Sequence, residues 1–248
     1  MTTNKSTINN IYTRDVKILA SDVDRYQHLR MSRIFQLLQE LSIAHTEALG
    51  YPRETTLDKG MLWVISRMKV ELDRPISYDE HIRLTSAPEK MLHMIYPRRY
   101  RILDSDGKVI GRAVALWMLI DAKNRRFCMP GTTHVIIDGP DKPEDETYPE
   151  GLKSFTPTRE TTRRVTYSEL DLNGHVNNTR YLNWIDDLLP DEVHKKGSIQ
   201  SIQLNFQKEI QADTEVRLTD RIDNGKFSVE GLLPDGSISF QAEGSLFS

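Results

Sequence analysis

The chain is short of cysteine, of net charge and of long apolar runs. Its one cysteine among 248 residues, Cys128, cannot form an internal disulfide and supplies too few thiolates for a zinc or iron–sulfur framework. A formal charge of −3 gives no general attraction to nucleic acid or to an anionic membrane. The longest apolar run, AVALWMLI at 113–120, is far below the roughly 20 residues that cross a bilayer. With 38% hydrophobic residues, the chain is expected to form one large or two small globular domains.

The same absences bear on location and cofactors. The polar N-terminal residues, MTTNKSTINN, have neither the apolar core of a signal peptide nor the arginine-rich face of a transit peptide, so we expect a cytoplasmic protein. No histidine pair has a metal-binding spacing such as HExxH, and no glycine-rich phosphate loop is present. We therefore expect no metal and no cofactor, and we expect Cys128 to be an inert packed thiol.

Two halves of the chain resemble each other. SDVDRYQHLRMSRIFQLLQE (21–40) aligns with SELDLNGHVNNTRYLNWIDD (168–187) at an offset of 147, with identities at Ser21/Ser168, Asp24/Asp171, His28/His175 and Arg33/Arg180. Further on, DEHIRLT (79–85) aligns with DTEVRLT (213–219) at an offset of 134. Because the order is preserved and the offset changes only at loops, the pattern indicates a duplicated domain.

Each half predicts a strand, a turn, an amphipathic helix and then several strands. The first helix has apolar residues at helical spacing before Gly50, and the second before Pro190; they are Ile34, Leu37, Leu38, Leu41, Ala44 and Ala48, then Tyr181, Trp184, Ile185 and Leu188. Period-two alternation at Met68, Val70, Leu72 and at Ile202, Leu204, Phe206 predicts a strand after each helix. Other strands are predicted near 11–19, 79–87, 94–103 and 108–121, and near 160–167, 213–222, 226–233 and 237–246. This order predicts an α+β fold in which an antiparallel sheet wraps around a helix, twice over, with the two units pairing edge to edge.

Proline marks the boundary between the halves. The segment 130–157 contains five of the eleven prolines and the acidic stretch DKPEDE, a composition typical of a semi-rigid connection. We therefore divide the chain into an N-terminal domain (1–130), a linker (131–157) and a C-terminal domain (158–248).

The segment DLNGH (171–175) concentrates polar groups directly before the second helix. In an extended backbone Asp171, Asn173 and His175 share one side, and Gly174 permits a tight turn with an unobstructed amide. The helix that follows directs free N–H groups at the turn, where an oxyanion could be stabilised. The alternative is that these residues only cap the helix and build an Asx turn.

The duplication bears on that choice. The first half keeps Asp24 and His28 but has RYQ (25–27) in place of LNG (172–174). A requirement of folding alone would be met alike in both copies, so the difference favours one working site and one decayed site.

The segment DLNGHVNNTRYLNW resembles the signature of hotdog-fold thioesterases, and the duplicated arrangement is similar to the acyl-acyl carrier protein thioesterases of plants and bacteria, which are tandem double-hotdog proteins. The resemblance covers essentially the whole chain and implies that Asp171, Asn173 and His175 are catalytic. It also implies a catalytic glutamate on the strand after the helix, which falls on Glu209 within FQKEI (206–210). Ile210 stands where the plant enzymes have a cysteine, so the resemblance favours a carboxylate and histidine mechanism. The repeat counterpart of Glu209 is Pro75.

The resemblance also implies roles. Glu209 and His175 are expected to hold and deprotonate a water molecule, Asn173 to contact that water or the thioester carbonyl, and the backbone of Gly174 to join the oxyanion site. Asp171 either orients the imidazole or acts as a nucleophile. In such proteins the first hotdog holds much of the acyl chain, which makes the following residues candidates as well as ordinary core: Ile34, Leu37, Leu38, Leu41, Trp63 and Met68.

The partner implied is acyl carrier protein (ACP), whose acidic surface calls for a local basic patch. Candidate patches lie at 98–101, 125–126, 163–164 and 195–196, and a homodimer of the double unit stays open. The expected activity is hydrolysis of fatty acyl-ACP, which releases free fatty acid and ends fatty acid synthesis. Two alternatives remain: hydrolysis of acyl-coenzyme A at the same site, and non-catalytic sensing of an acyl thioester. Sensing needs no acid-base set, so the four polar residues argue against it.

Overall fold

The computed structural model describes residues 10–137 and 139–248. The first nine residues of the predicted N-terminal domain and Asp138 of the predicted linker lie outside the described residues. The first half contains β1 (Tyr12–Lys17), α1 (Met31–Ala48), β2 (Met61–Leu72), β3 (His81–Pro88), β4 (Ile95–Leu103), β5 (Val109–Asp121) and the short α2 (Pro130–Thr133). The second half contains β6 (Arg159–Arg164), α3 (Arg180–Leu188), α4 (Asp191–Lys195), β7 (Ile199–Phe206), β8 (Glu215–Asp223), β9 (Lys226–Leu232) and β10 (Ile238–Leu246).

The strands form one antiparallel sheet in the order β1-β3-β4-β5-β2-β7-β10-β9-β8-β6. The halves meet where β2 pairs with β7, and there Lys69 lies opposite Gln203. The offset of 134 makes these two residues equivalent, so a pseudo-twofold axis passes between them. The pairing covers the edge that each half would otherwise expose. The predicted α+β double hotdog and its edge-to-edge junction are confirmed.

Each half packs one long helix against its part of the sheet. The apolar positions predicted in α1 up to Leu41 are buried, and α1 ends before Gly50, whose φ of +91° suits a residue without a side chain. In its last turns the buried side passes through Ser42 and His45, because Tyr100 and Ser86 of the sheet supply polar partners there.

The second long helix, α3, buries the four predicted apolar residues and stops before Pro190. The short α4 that follows Pro190 was not predicted. None of the helices in the described ranges combines the length and the apolar character that crossing a membrane requires.

The proline-rich connection is fastened to the sheet. Its Glu146 pairs with Arg99 and Arg101 of β4, and the carbonyl of Pro149 accepts from Arg67 of β2. Gln203 of β7 donates to the carbonyl of Glu150, so the segment crosses the junction of the two halves.

The candidate basic patch at 98–101 is wrong for a physical reason. Arg98 and Arg99 are only 4% and 7% exposed, and Arg101 is half-buried against Glu146. These guanidinium groups bind partners within the protein, so they do not form a free basic surface on which a carrier protein could dock.

Candidate active site

The predicted site is a tight turn between β6 and α3. Oδ1 of Asp171 accepts hydrogen bonds from the backbone N–H groups of Asn173 at 2.8 Å and His175 at 3.3 Å. Gly174 has φ of +79°, and its N–H donates to the carbonyl of Asp171 at 3.0 Å. That N–H is engaged within the turn, which corrects the expectation that it is unobstructed for an oxyanion.

The first half builds the same turn with different side chains. Oδ1 of Asp24 accepts from the N–H groups of Tyr26 at 2.8 Å and His28 at 2.9 Å. Gln27 takes the place of Gly174 and also has a positive φ, +67°. The aspartate is therefore explained in both copies by the fold, and the difference between the copies lies in the other side chains.

Glu209 reaches the turn from the segment after β7. The N–H of Val176 donates to the carbonyl of Ile210 at 2.8 Å, and His175 forms a backbone bridge with Gln211. The fully buried side chain of Ile210 anchors this segment. As a result Oε2 of Glu209 lies 3.4 Å from Nε2 of His175, with the imidazole 14% and the carboxylate 44% exposed.

The equivalent contacts in the first half confirm the repeat alignment at this point. The N–H of Leu29 donates to the carbonyl of Ile76 at 2.7 Å, and His28 bridges Ser77. Pro75 consequently occupies the place of Glu209 and presents no carboxylate to His28.

The two turns also differ in what covers them. Asn173 is exposed, its side chain makes no hydrogen bond with another described residue, and Leu172 beside it is 84% exposed. In the first half, the hydroxyl of Tyr26 donates to Asp191 of α4 at 2.6 Å, and Nδ1 of His28 lies 3.1 Å from the carbonyl of His194. The turn of the second half is open, and that of the first is closed by α4.

A buried glutamate fixes the second-half turn to α3. Glu169 accepts from the N–H of Thr166 at 2.8 Å, from the indole of Trp184 at 2.7 Å and from Arg163 at 2.6 Å. Burial alone would raise the pKa of Glu169, but these donors outweigh it and hold the pKa below its ordinary value. Arg163 also lies 4.5 Å from the Trp184 ring centroid, so it is a structural cation and not a free docking residue.

Sequence reasoning missed two neighbours of the site. Arg125, from the first half, places a guanidinium nitrogen 3.4 Å from Oε2 of Glu209. The doublet at 125–126 was noticed only as a candidate docking patch, because no spacing along the chain reveals a contact between halves. Tyr181 of α3 is the second; burial raises its pKa, and the charges of Glu209 and Asp171 act in the same direction, so the phenol stays neutral beside them.

The six candidate acyl-binding residues all belong to the core of the first half. Five are at most 6% exposed: Ile34, Leu37, Leu38, Leu41 and Met68. Trp63 is half-buried and stands edge-on to Tyr96 at 5.0 Å. Packing alone accounts for these positions.

Sequence profiles of one protein family match both halves. The profile of the acyl-ACP thioesterase N-terminal domain matches residues 9–130, and that of the acyl-ACP thioesterase C-terminal domain matches residues 153–239.

Curated relatives carry the same kind of name. The chain is 23% identical over 224 residues to oleoyl-acyl carrier protein thioesterase 1, chloroplastic, of Arabidopsis thaliana, which covers 83% of this chain and 62% of the relative. It is 22% identical over 227 residues to palmitoyl-acyl carrier protein thioesterase, chloroplastic, of Gossypium hirsutum, which covers 82% and 53%. The chain thus spans between half and two thirds of the length of these relatives.

Solved structures show the same fold. An acyl-ACP thioesterase from Bacteroides thetaiotaomicron superposes with a TM-score of 0.85 at 24% identity, covering 96% of this chain and 98% of that one. The 12:0-ACP thioesterase from Umbellularia californica superposes with a TM-score of 0.81 at 18% identity, covering 97% and 98%.

Proposed function

The chain belongs to the acyl-ACP thioesterase family, and on this premise we propose that it hydrolyses the thioester of fatty acyl-ACP to free fatty acid and carrier thiol. The observation that carries the proposal is the 3.4 Å contact between Glu209 and His175 at an open turn. The equivalent turn of the first half has proline in place of this glutamate and is covered by α4. Hydrolysis requires an acid-base pair and folding does not. A pair that only one of the two copies contains therefore supports a catalytic role.

The chemistry needs an activated water, a donor for the oxyanion and a leaving group. Glu209 and His175 hold a water and take its proton as the water oxygen attacks the carbonyl carbon. The exposed Asn173 amide donates to the developing oxyanion. When the carbon–sulfur bond breaks, the proton passes from His175 to the departing thiolate. A thiol with a pKa of about 8.5 leaves with little assistance, so this small set is sufficient.

The two halves then share the work. The C-terminal domain (158–248) cleaves the thioester, and the N-terminal domain (1–130) holds the acyl chain against α1 and β2. The linker (131–157) holds the halves in register across their junction.

Carrier docking is proposed beside the site. Of the candidate basic stretches, 125–126 lies nearest to Glu209, and both of its arginines are exposed. An acidic carrier seated there would present its thioester arm to the open turn. We also propose a cytoplasmic location, where the single thiol of Cys128 stays reduced.

The test is steady-state hydrolysis of matched acyl-ACP and acyl-coenzyme A substrates over a series of chain lengths. We expect a higher kcat/KM for the carrier substrate, and losses of roughly 100-fold or more in kcat for His175→Gln and for Glu209→Gln. His28→Gln, at the equivalent position of the first half, is the matched control and should retain the wild-type rate. Equal turnover in all three variants would remove the site assignment, and equal kcat/KM for both carriers would remove the carrier preference.

A single turnover in H₂¹⁸O tests whether Asp171 acts as a nucleophile whose anhydride is hydrolysed at the enzyme carbonyl. If water attacks directly, the label enters only the fatty acid. If Asp171 attacks and its anhydride is hydrolysed at the enzyme carbonyl, ¹⁸O appears in the carboxylate of a peptide containing Asp171.

A further inference from the structure

The first half contributes a side chain to the site of the second. After β5 the chain folds back in a hairpin, in which the N–H of Asp121 donates to the carbonyl of Arg126 at 2.9 Å and Ile120 bridges Phe127. The hairpin carries Arg125 to within 3.4 Å of Glu209. We propose that Arg125 is a positioning residue, which holds the Glu209 carboxylate in the orientation that the reaction requires. This inference rests on the proposed function of Glu209.

Hydrogen bonds within the hairpin constrain the backbone on both sides of Arg125. Oδ1 of Asp121 accepts from the N–H groups of Lys123 and Asn124, each at 2.9 Å, and Oδ1 of Asn124 accepts from the N–H of Arg126 at 2.9 Å. The bonds from Asn124 and Lys123 also lower the pKa of Asp121, which therefore keeps its charge and its acceptor role in mildly acidic solution. The constrained turn fixes the Cα position of Arg125, so only its side-chain rotamers have to be ordered when the guanidinium binds Glu209.

The backbone of Arg125 has a strained conformation. Its φ of +58° lies in the left-handed region, where glycine is favoured and a residue with a Cβ is strained. Gln27 at +67° and Asp79 at +68° share this conformation in the first half, so the inference rests on the contact with Glu209 and not on the strain. The contact with Glu209 supplies a reason for arginine at this position, in keeping with the tendency of strained residues to lie at functional sites.

The geometry of the carboxylate shows what the contact does. Arg125 and His175 approach the same oxygen of Glu209, Oε2, each at 3.4 Å. Glu209 is 44% exposed, and without such contacts its side chain would sample several rotamers. Held through Oε2 by both side chains, the carboxylate keeps one orientation beside His175 while the attacking water binds.

This role is separable from carrier docking by the choice of substrate. A docking arginine affects only substrates that carry ACP, whereas a positioning residue affects every thioester. The test therefore uses a short acyl-N-acetylcysteamine thioester beside acyl-ACP. The variants are Arg125→Gly, which removes the side chain and relieves the backbone, and Arg125→Lys, which keeps the charge. Arg83→Gln, which breaks an exposed pair with Asp15 at 2.7 Å in the first half, is the matched control.

We expect Arg125→Gly to unfold at the wild-type temperature or higher, and to lose kcat roughly 10-fold to 100-fold on the short thioester with KM little changed. Arg125→Lys should recover part of the loss, and so should added guanidinium chloride at millimolar concentration in the glycine variant. A wild-type kcat on the short thioester, with a loss confined to acyl-ACP, would overturn the inference and leave Arg125 as a docking residue.

An additional measurement does not depend on activity. In ¹⁵N-labelled protein, the imidazole signals of His175 are identified by their loss in His175→Gln. If Arg125 positions Glu209, Arg125→Gly shifts these signals and Arg83→Gln does not. Unchanged His175 signals in the glycine variant would overturn the inference even if the wild-type chain hydrolysed no thioester, a result that would separately refute the proposed function.

Discussion

Asp186, in the last turn of α3, provides a test of how burial sets the stability of this protein. Burial raises its pKa from 3.8 to about 6, although the charges of His194 and Arg30 and a hydrogen bond from Ser198 act in the opposite direction. Ser198 lies 3.4 Å from Oδ1, and the carboxylate also faces the negative end of its own helix. We therefore predict that Asp186→Asn stabilises the protein at neutral pH.

The sign follows from proton binding. The folded state binds the proton of Asp186 more tightly than the unfolded state, so the free energy of unfolding falls as the pH rises through the interval between 3.8 and about 6. At about 1.4 kcal/mol per pH unit, this interval sets a ceiling of about 3 kcal/mol on the stability lost at pH 8. Because Asp186 is only partly hidden from solvent, we expect roughly half of that ceiling to be measured. Asparagine keeps the acceptor for Ser198 and removes the charge.

The assay is urea unfolding of the wild type and of Asp186→Asn at pH 4.5 and at pH 8. The variant should gain about 1 to 2 kcal/mol at pH 8 and markedly less at pH 4.5. The control is Asp187→Asn, one residue further on and 76% exposed in its side chain, for which we expect a change within about 0.5 kcal/mol. An equal gain at both pH values, or a loss at pH 8, would refute the reasoning.

Three further predictions concern the scaffold. Gly244→Ala would place a Cβ 2.0 Å from a backbone oxygen of the neighbouring strand, so it should destabilise the chain by about 3 kcal/mol or more. The control is Gly131→Ala, whose Cβ meets nothing within 4 Å and which should leave the thermal unfolding nearly unchanged. A double-mutant cycle of Tyr26→Phe and Asp191→Ala should give a coupling energy of about 1 kcal/mol; zero coupling would mean that this hydrogen bond does not help to hold α4 on the first-half turn. Since hydrogen-bond donors lower the pKa of Glu169, its ionised form stabilises the fold above pH 4.5. In urea unfolding, Glu169→Gln should therefore lower the free energy of unfolding more at pH 7 than at pH 3, and an equal loss at both pH values would contradict this.

Most of the fold could be predicted because its signals are local. Period-two alternation located β2 and β7, helical spacing located α1 and α3, and Gly50 and Pro190 marked where the helices end. The short α4 was missed because five residues carry too little periodicity to register. The burial of Arg98 and Arg99 was missed for a different reason, since arginine is usually exposed and its internal partners come from distant segments.

The candidate site was likewise predictable from the sequence only in part. Asp171, Asn173 and His175 lie within five residues, so their proximity is visible in the sequence. Glu209 was predicted from the family resemblance, and the internal repeat then set it against Pro75. The free amide expected at Gly174 was wrong, because the hydrogen bond that closes the turn uses it. Arg125 could not be assigned to this site from spacing, because 84 positions separate it from Glu209 and the two belong to different halves.

The sequence by itself determined the duplicated α+β plan, the order of its elements and the short polar segment before the second helix. Those features follow from side-chain periodicity and turn chemistry, which act between near neighbours. The tertiary structure alone decided which turn stays open, which charges are consumed inside the protein and which residue of one half faces the carboxylate of the other. Such contacts depend on the pairing of β2 with β7, which sets the position of one half relative to the other and leaves no trace in local spacing.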